Sequence, residues 1–390
     1  MKDSAAKPGG TDKIGKTGET GLDEAGRGET ELDETGLALA HALQIAPRAP
    51  WTLVGEVLGL SAVTAARRWA RISRRGAAWV TATGSPAQWR SMCNAFVTVD
   101  CEPAARGEVA QALARDPRTK SVMELASGRD IHANVITRDL LGLSRFVLDQ
   151  VSRLPGVVRV TTQVSTRILV AGSDWRLDAL SRPQQLRLQA SAGDPHGPLP
   201  VPGPLSAQDR RLLLALAADG RAPVTELAGR LGASQSAVRR RLTRLERSGS
   251  VAYRCEVSQN ITGWPVTSVL WARAPVARMQ QVRGQLSRMP EVRLMTATSG
   301  QTNVLLSTWL HSVDAALDLA ARIGAECPEL EIADHAIVLR TVKRQGWILD
   351  ELGRGVRCVP IDPWCEATEV AGAEGAPDLA QSVEPAVPAV

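Results

Sequence analysis

The sequence predicts an α+β protein in which two kinds of domain, a winged helix-turn-helix and a ferredoxin-like βαββαβ sheet, each occur twice. Three observations predict it. A helical apolar period runs through an arginine-rich stretch at 233–249. Further segments read in the order strand, helix, strand, strand, helix, strand. The whole pattern recurs at a shift of 173 residues.

The arginine-rich stretch, ASQSAVRRRLTRLERSG, places Val238, Leu242 and Leu245 at i, i+4 and i+7, one face of a helix. At about 100° per residue, Arg240, Arg244 and Arg247 fall on the opposite face, and Arg239 and Arg241 flank the stripe. Ser234 stands at the N-cap position and Gly249 just past the end. Five arginines thus lie within nine residues, opposed only by Glu246. A solvated face usually mixes signs because like charges at i,i+4 repel, so this bias fits a polyanionic partner.

Upstream, 205–220 reads as a helix led in by Leu205, with Leu212, Leu213 and Leu216 as its stripe. Residues 222–234 give a second helix burying Leu227 and Leu231, and Gly232 permits the turn into the third. Two short helices, a glycine turn and a basic third helix make a helix-turn-helix. After Gly249, SVAYRCEVS alternates as a strand does. It is expected to form a wing from which Arg254 reaches phosphate.

The shift of 173 superposes 32–76 on 205–249 without a gap, with 16 identities in 45 positions. Arg48-Ala49-Pro50 falls on Arg221-Ala222-Pro223, and Ser61 on Ser234. Arg67, Arg68, Arg71 and Arg74 fall on Arg240, Arg241, Arg244 and Arg247. An internal repeat of this kind is the signature of a duplicated unit. The copies are unequal, since Val238, Arg239 and Leu242 become Ala65, Ala66 and Trp69. The first helix is expected to present four arginines plus Trp69 where the second presents five.

Beyond the first wing, 92–100 reads as a strand, 103–117 as a helix, 121–127 and 131–137 as strands about a Ser-Gly turn, 141–154 as a helix and 157–169 as a strand. The second copy repeats the series from 267 to 342. This βαββαβ order predicts an antiparallel sheet with helices on one face and the other face free to pack on a second sheet.

The expected domains are a disordered tail at 1–31, a winged helix-turn-helix at 32–81 and a βαββαβ domain at 89–171. A Pro/Gly-rich linker follows at 183–204, then the second winged helix-turn-helix at 205–258 and the second βαββαβ domain at 262–343. The last segment, 366–390, is an acidic tail expected to be disordered, with five acidic residues and no Lys or Arg. Net charge is +5, and 206–258 alone carries ten Arg against five acidic residues. The basic character is therefore concentrated where the arginine helix lies. No apolar run approaches the ~20 residues that span a bilayer. The polar N-terminus lacks the apolar region of a signal peptide, so a cytoplasmic protein is expected. Six cysteines without a CxxC and five scattered histidines read as reduced thiols and no metal site. No cofactor is expected.

A winged helix-turn-helix followed by a βαββαβ domain resembles the Lrp/AsnC family of bacterial transcriptional regulators. LSAQDRRLLLALAADGRAPVTELAGRLGASQSAVRRRLTRLERSG fits that family's N-terminal pattern, and SGQTN at 299–303 fits its turn between the middle strands. The resemblance covers about 32–171 and 205–343. It implies βαββαβ domains that dimerise and bind an amino acid or related small molecule at that turn, here Gly128, Asp130, Gly300, Thr302 and Asn303. This sequence departs from the family in having Asn303 where Asp is usual, in placing Asp130 two residues after Gly128, and in its duplication.

The expected function is a non-enzymatic, sequence-specific regulator binding double-stranded DNA. Its contacts would come from Ser234, Gln235, Ser236, Arg239, Arg240, Arg241, Arg244, Arg247 and Arg254, and from Ser61, Arg67, Arg68, Arg71 and Arg74 in the first copy. The two βαββαβ domains would pair within one chain as a pseudo-dimer, with higher oligomers open and no membrane partner. Two alternatives stand beside this. Siroheme decarboxylases share the tandem architecture and use His and Arg in the βαββαβ cavity, where this chain offers His132 but no nearby Tyr. A ligand-binding partner protein whose first helix-turn-helix only associates is the other.

Overall fold

The computed structural model describes residues 32–192 and 202–365. Both expected tails, and the linker from 193 to 201, lie outside these residues. The chain opens with α1 (Glu34–Ile45), α2 (Trp51–Leu58), α3 (Ala62–Arg74) and β1 (Ala78–Gly84). The first βαββαβ unit is β2 (Cys93–Cys101), α4 (Arg106–Arg115), β3 (Thr119–Ala126), β4 (Ile131–Thr137), α5 (Leu140–Ser144) and β5 (Val157–Val170). The expected helix at 141–154 continues from α5 as a π turn over Arg145–Gln150 and a tighter turn over Val151–Arg153. Then come α6 (Arg182–Ala192), α7 (Ala207–Ala218), α8 (Val224–Leu231), α9 (Gln235–Arg247) and β6 (Val251–Val257). The second βαββαβ unit is β7 (Val266–Arg273), α10 (Met279–Leu286), β8 (Val292–Thr298), β9 (Val304–Leu310), α11 (Ala315–Glu326) and β10 (Glu331–Arg344). A hairpin, β11 (Trp347–Leu349) and β12 (Gly355–Cys358), follows.

The helix ends follow from local chemistry. Ser61 and Ser234 accept the amides of Thr64 and Ala237 at the starts of α3 and α9. Ser206 and Asp209 form a reciprocal capping box on α7, satisfying amides that otherwise lack partners. Gly59 and Gly232 end the second helices at φ +70° and +61°, where a Cβ would be strained.

Within each βαββαβ unit the sheet order is β3-β4-β2-β5 and β8-β9-β7-β10. The two sheets meet at their edges. Ser165 to Val170 of β5 pairs antiparallel with Thr298 to Met295 of β8. Ile337 to Lys343 of β10 pairs with Ala126 to Val122 of β3. The sheets were expected to pair face to face; the structure also joins both edges, so eight strands close into a ring. Closure removes the unpaired edges that open sheets expose. Helices α4 and α5 cover one outer core and α10 and α11 the other. Phe96, Leu125, Val269, Trp271, Leu305 and Ala336 pack inside the ring.

Two expectations are corrected. The wing strand β6 is not free: its seven residues pair antiparallel with all seven of β1, from Ala78↔Val257 to Gly84↔Val251. Each copy's wing thus satisfies the other's hydrogen-bonding edge. The linker expected at 183–204 begins instead as helix α6. Leu188 is fully buried with Leu177 and Leu180 in the core of α1, α2 and α3. Gln184 Nε2 donates to the Val57 carbonyl at 2.9 Å, and Ala179 N donates to His41 Nδ1 at 3.1 Å. The sequence carries no amphipathic period here, because Leu186 and Leu188 point to opposite sides and Leu186 stays exposed. Tertiary packing makes this helix, and Pro183 is tolerated in its first turn.

The β11–β12 hairpin lies beyond the expected domains. Trp347 Nε1 donates to the Ala217 carbonyl at 3.2 Å, its ring 5.4 Å from that of Trp79. Gly355 N donates to the Gly76 carbonyl at 2.9 Å. The hairpin therefore straps the barrel to both three-helix units.

Candidate nucleic-acid interface

Helix α9 buries Val238, Leu242 and Leu245 against α7 and α8, which turns its arginines outward. Arg239, Arg240, Arg244 and Arg247 are exposed. Arg241 lies lower and is latched to Asp209 at 3.1 Å and to Gln208. Arg244 also reaches Asp209. Burial pushes the Asp209 carboxyl up, but Ser206, Arg241 and Arg244 together hold it below its ordinary value. Arg239, Arg240 and Arg247 make no ion pair among the described residues. Glu246, the helix's one carboxylate, is turned into the seam between the two heads, where it accepts from Tyr253 Oη at 3.0 Å and faces Arg48 at 3.7 Å. It does not neutralise the outer face. Gln235 and Ser236 stand exposed at the helix start, and Ser234 is exposed although its hydroxyl caps the helix.

Helix α3 repeats this with one exposed arginine fewer, Ala66 standing where α9 has Arg239. Arg67, Arg71 and Arg74 are exposed, Arg74 turning back to the Ala70 carbonyl at 3.2 Å. Arg68 is held by Asp33 at 2.6 Å, as its counterpart Arg241 is held at the start of α7. Trp69 is corrected: it is only 7% exposed and fills the first core where Leu242 fills the second. Ser61 caps α3 and stays exposed. The sequence reading passed over Val63, 60% exposed at the position that Ser236 holds in the other copy. The repeat alignment was the signal that could have found it.

Arg254 is also corrected. It lies half-buried on β6 with its guanidinium on Glu256, because the wing is paired with β1 and faces inward.

The expected effector residues are brought to the barrel's two joints, and their polar atoms are engaged there. Asp130 Oδ2 accepts from Cys101 N at 2.8 Å, and Asn303 Oδ1 accepts from Ala274 N at 2.9 Å. The two residues and their two partners are each 173 apart, so Asp130 and Asn303 are equivalent braces for the end of the first strand. Thr302 accepts from Gln163 Nε2 at 2.9 Å, and Arg129 beside Gly128 pairs with Asp334 at 2.9 Å. Each turn is therefore stitched to the other copy's last strand. Gly300 adopts φ +105°, whereas Gly128 has no positive φ and a Cβ there would meet nothing within 4 Å. Of the two turns, only the one at Gly300 therefore demands glycine.

His132 and Asn134 share one face of β4, as alternation required, and that face is the barrel interior. His132 is 1% exposed, stacked on Phe96 at 5.4 Å and edge-on to Trp271 at 5.5 Å. Burial pushes its imidazole down to about 3, with Arg129 adding to it.

Two helix-turn-helix units displaying basic third helices, carried on a closed βαββαβ pair, define a DNA-binding regulator class. Residues 32–72 and 205–246 each match the AsnC-type helix-turn-helix domain, and 94–174 matches the Lrp/AsnC ligand binding domain. The HTH-type transcriptional regulator LrpA of Mycobacterium tuberculosis is 36% identical over 118 residues, covering 30% of this chain and 78% of that protein. LrpA of Pyrococcus horikoshii is 24% identical over 140 residues, covering 36% and 99%. The chain belongs to the Lrp/AsnC family of transcriptional regulators. Its tandem architecture is that of the solved siroheme decarboxylase NirDL, with a TM-score of 0.54 over 88% of this chain and 99% of that one. At 12% identity that likeness concerns the fold. Among the described residues no helix is long and apolar enough to cross a membrane.

Proposed function

We propose that this chain is a sequence-specific regulator that grips double-stranded DNA with two unequal heads, α9 the stronger and α3 the weaker. The observation that carries the reading is the unneutralised outer face of α9: Arg239, Arg240 and Arg247 are free among the described residues while Glu246 is drawn into the seam. Guanidinium groups suit phosphate and guanine edges, and Gln235 and Ser236 are placed to read bases from the helix start. If about six phosphates are neutralised, log K against log salt slopes near −5. Arg240→Ala flattens that slope by about one. Binding indifferent to salt would refute the reading.

The barrel supports an intrachain pseudo-dimer, since β5–β8 and β10–β3 pair within one chain. An amino-acid effector at the 127–130 and 299–303 turns has less support, because Asp130, Thr302 and Asn303 already serve the fold. Tetrapyrrole decarboxylation has less still: the one histidine of the first turn, His132, is wedged between two rings away from solvent.

A further inference from the structure

A cleft opens where the paired wing strands meet the barrel. Its walls are β6 from Tyr253 to Val257, Arg293 of β8, Gln44 of α1, and Gly172, Ser173 and Trp175 after β5. It lies apart from the 299–303 turn and from the exposed faces of α3 and α9.

The cleft holds more positive charge than the chain neutralises. Three guanidinium groups, Arg254, Arg293 and Arg344, surround one carboxylate, Glu256, which is 2% exposed. Glu256 is shared between Arg254 at 2.5 Å and Arg344 at 3.4 Å. Arg293 is 8% exposed and has no hydrogen-bond acceptor among the described residues. Its guanidinium lies 3.7 Å from the ring centre of Trp309 and 4.6 Å from that of Trp175. Arg254 Nε is likewise buried without a partner. Burying a cation without a hydrogen-bonded counter-anion is costly, and indole stacking offsets only part of that cost. Burial, against the pull of Glu256, pushes Arg293 down to about 9.

The two indoles lie edge to face with their centres 4.8 Å apart, so both sit to one side of the Arg293 guanidinium, and neither offers an acceptor in line with its N–H groups. That fork matches a carboxylate or phosphate bidentately. Gly172 keeps the space beside it: a Cβ at 172 would lie 3.6 Å from Arg254 Nη2. Its φ is not in the left-handed region and the Arg293 carbonyl would lie 3.5 Å from that Cβ, an ordinary contact, so a side chain at 172 fits and starts beside Arg254.

We propose that this cleft binds a small free oxyanion, a carboxylate or a phosphate, between Arg254 and Arg293. The ligand would complete the charge balance at the joint of head and barrel. The inference stands apart from the DNA-binding reading, and its test contains no DNA.

The full chain is titrated with inorganic phosphate and, separately, with acetate, at ionic strength held constant with sodium chloride, following thermal stability and heat of binding. The expected result is a saturable rise in Tm with one of the two, which also tells phosphate from carboxylate chemistry. Gly172→Asp supplies a carboxylate beside Arg254, so it should raise Tm without added anion and weaken anion binding roughly tenfold or more. Arg254→Gln should lose the anion response without that rise. No saturable response to either anion in the unaltered chain overturns the proposal. So does a response in Gly172→Asp or Arg254→Gln equal to that of the unaltered chain.

Discussion

Arg48 and Arg221, 173 positions apart, do the same thing in opposite directions. Arg48 Nη1 donates to the Gly220 carbonyl at 2.5 Å, and Arg221 Nη1 donates to the Pro47 carbonyl at 2.6 Å. Gly220 and Pro47 are themselves equivalent positions of the repeat. Each arginine also lies over an aromatic ring: Arg48 over Tyr253 at 5.2 Å, Arg221 over Trp51 at 3.9 Å. The two heads are thus joined by an interface built as a two-fold homodimer builds one, within a single chain.

This seam should be unequal in energy. Arg221 makes a second hydrogen bond, to the Ala49 carbonyl at 2.8 Å. Hydrogen bonds to charged groups contribute about 1.5–3 kcal/mol, so Arg221→Ala should cost about 3 kcal/mol and Arg48→Ala about half of that. Urea unfolding measures both. Losses under about 0.5 kcal/mol, the ordinary range for surface changes, would mean the seam does not hold the heads together.

The heads should also be unequal on DNA. Neutralising Arg240 and Arg244 together is expected to weaken binding more than neutralising Arg67 and Arg71, because α9 exposes four arginines where α3 exposes three. The preferred site should be an imperfect palindrome with one dominant half. Anisotropy titrations of both double variants on one duplex decide it, and equal losses would count against unequal heads.

The two strand turns should tolerate substitution differently. Gly300 sits at φ +105°, so Gly300→Ala should cost roughly 1–3 kcal/mol in backbone strain. Gly128 has neither that φ nor a close neighbour, so Gly128→Ala should stay within about 0.5 kcal/mol. Similar losses at both would show that the turns share one conformation in solution.

Mild acid should weaken the fold through two histidines. Burial lowers His41 from 6.5 to about 4 and His132 from 6.5 to about 3. Between those values the unfolded chain binds protons that the folded chain does not, so stability rises with pH. The contribution of the neutral rings is complete above 6.5 and is lost as pH falls toward 4. His41 protonation also removes the acceptor for Ala179 N. Urea midpoints at about pH 7.5 and about pH 5 should differ less in His132→Phe than in the unaltered chain. An unchanged difference in that variant would exonerate His132.

Local pattern determined the two three-helix units, the two βαββαβ series and the outward arginines of α3 and α9. The helical period, caps and strand alternation are properties of neighbours in sequence, and the 173-residue repeat doubled each signal. Only the tertiary structure decided the rest. Whether β6 is a free wing or pairs with β1 depends on an edge some 170 residues away, and with it the inward turn of Arg254. Helix α6 exists because Leu188 finds the core of the first head; nothing in its own period demands it. Trp69 reads as a displayed aromatic until the core behind it is known. Asp130 and Asn303 look like ligand groups until Cys101 N and Ala274 N are found opposite them. The same holds for the cleft at Arg293: three separate strands, β6, β8 and β10, bring its charges together, and burial, which no single segment encodes, makes their imbalance count.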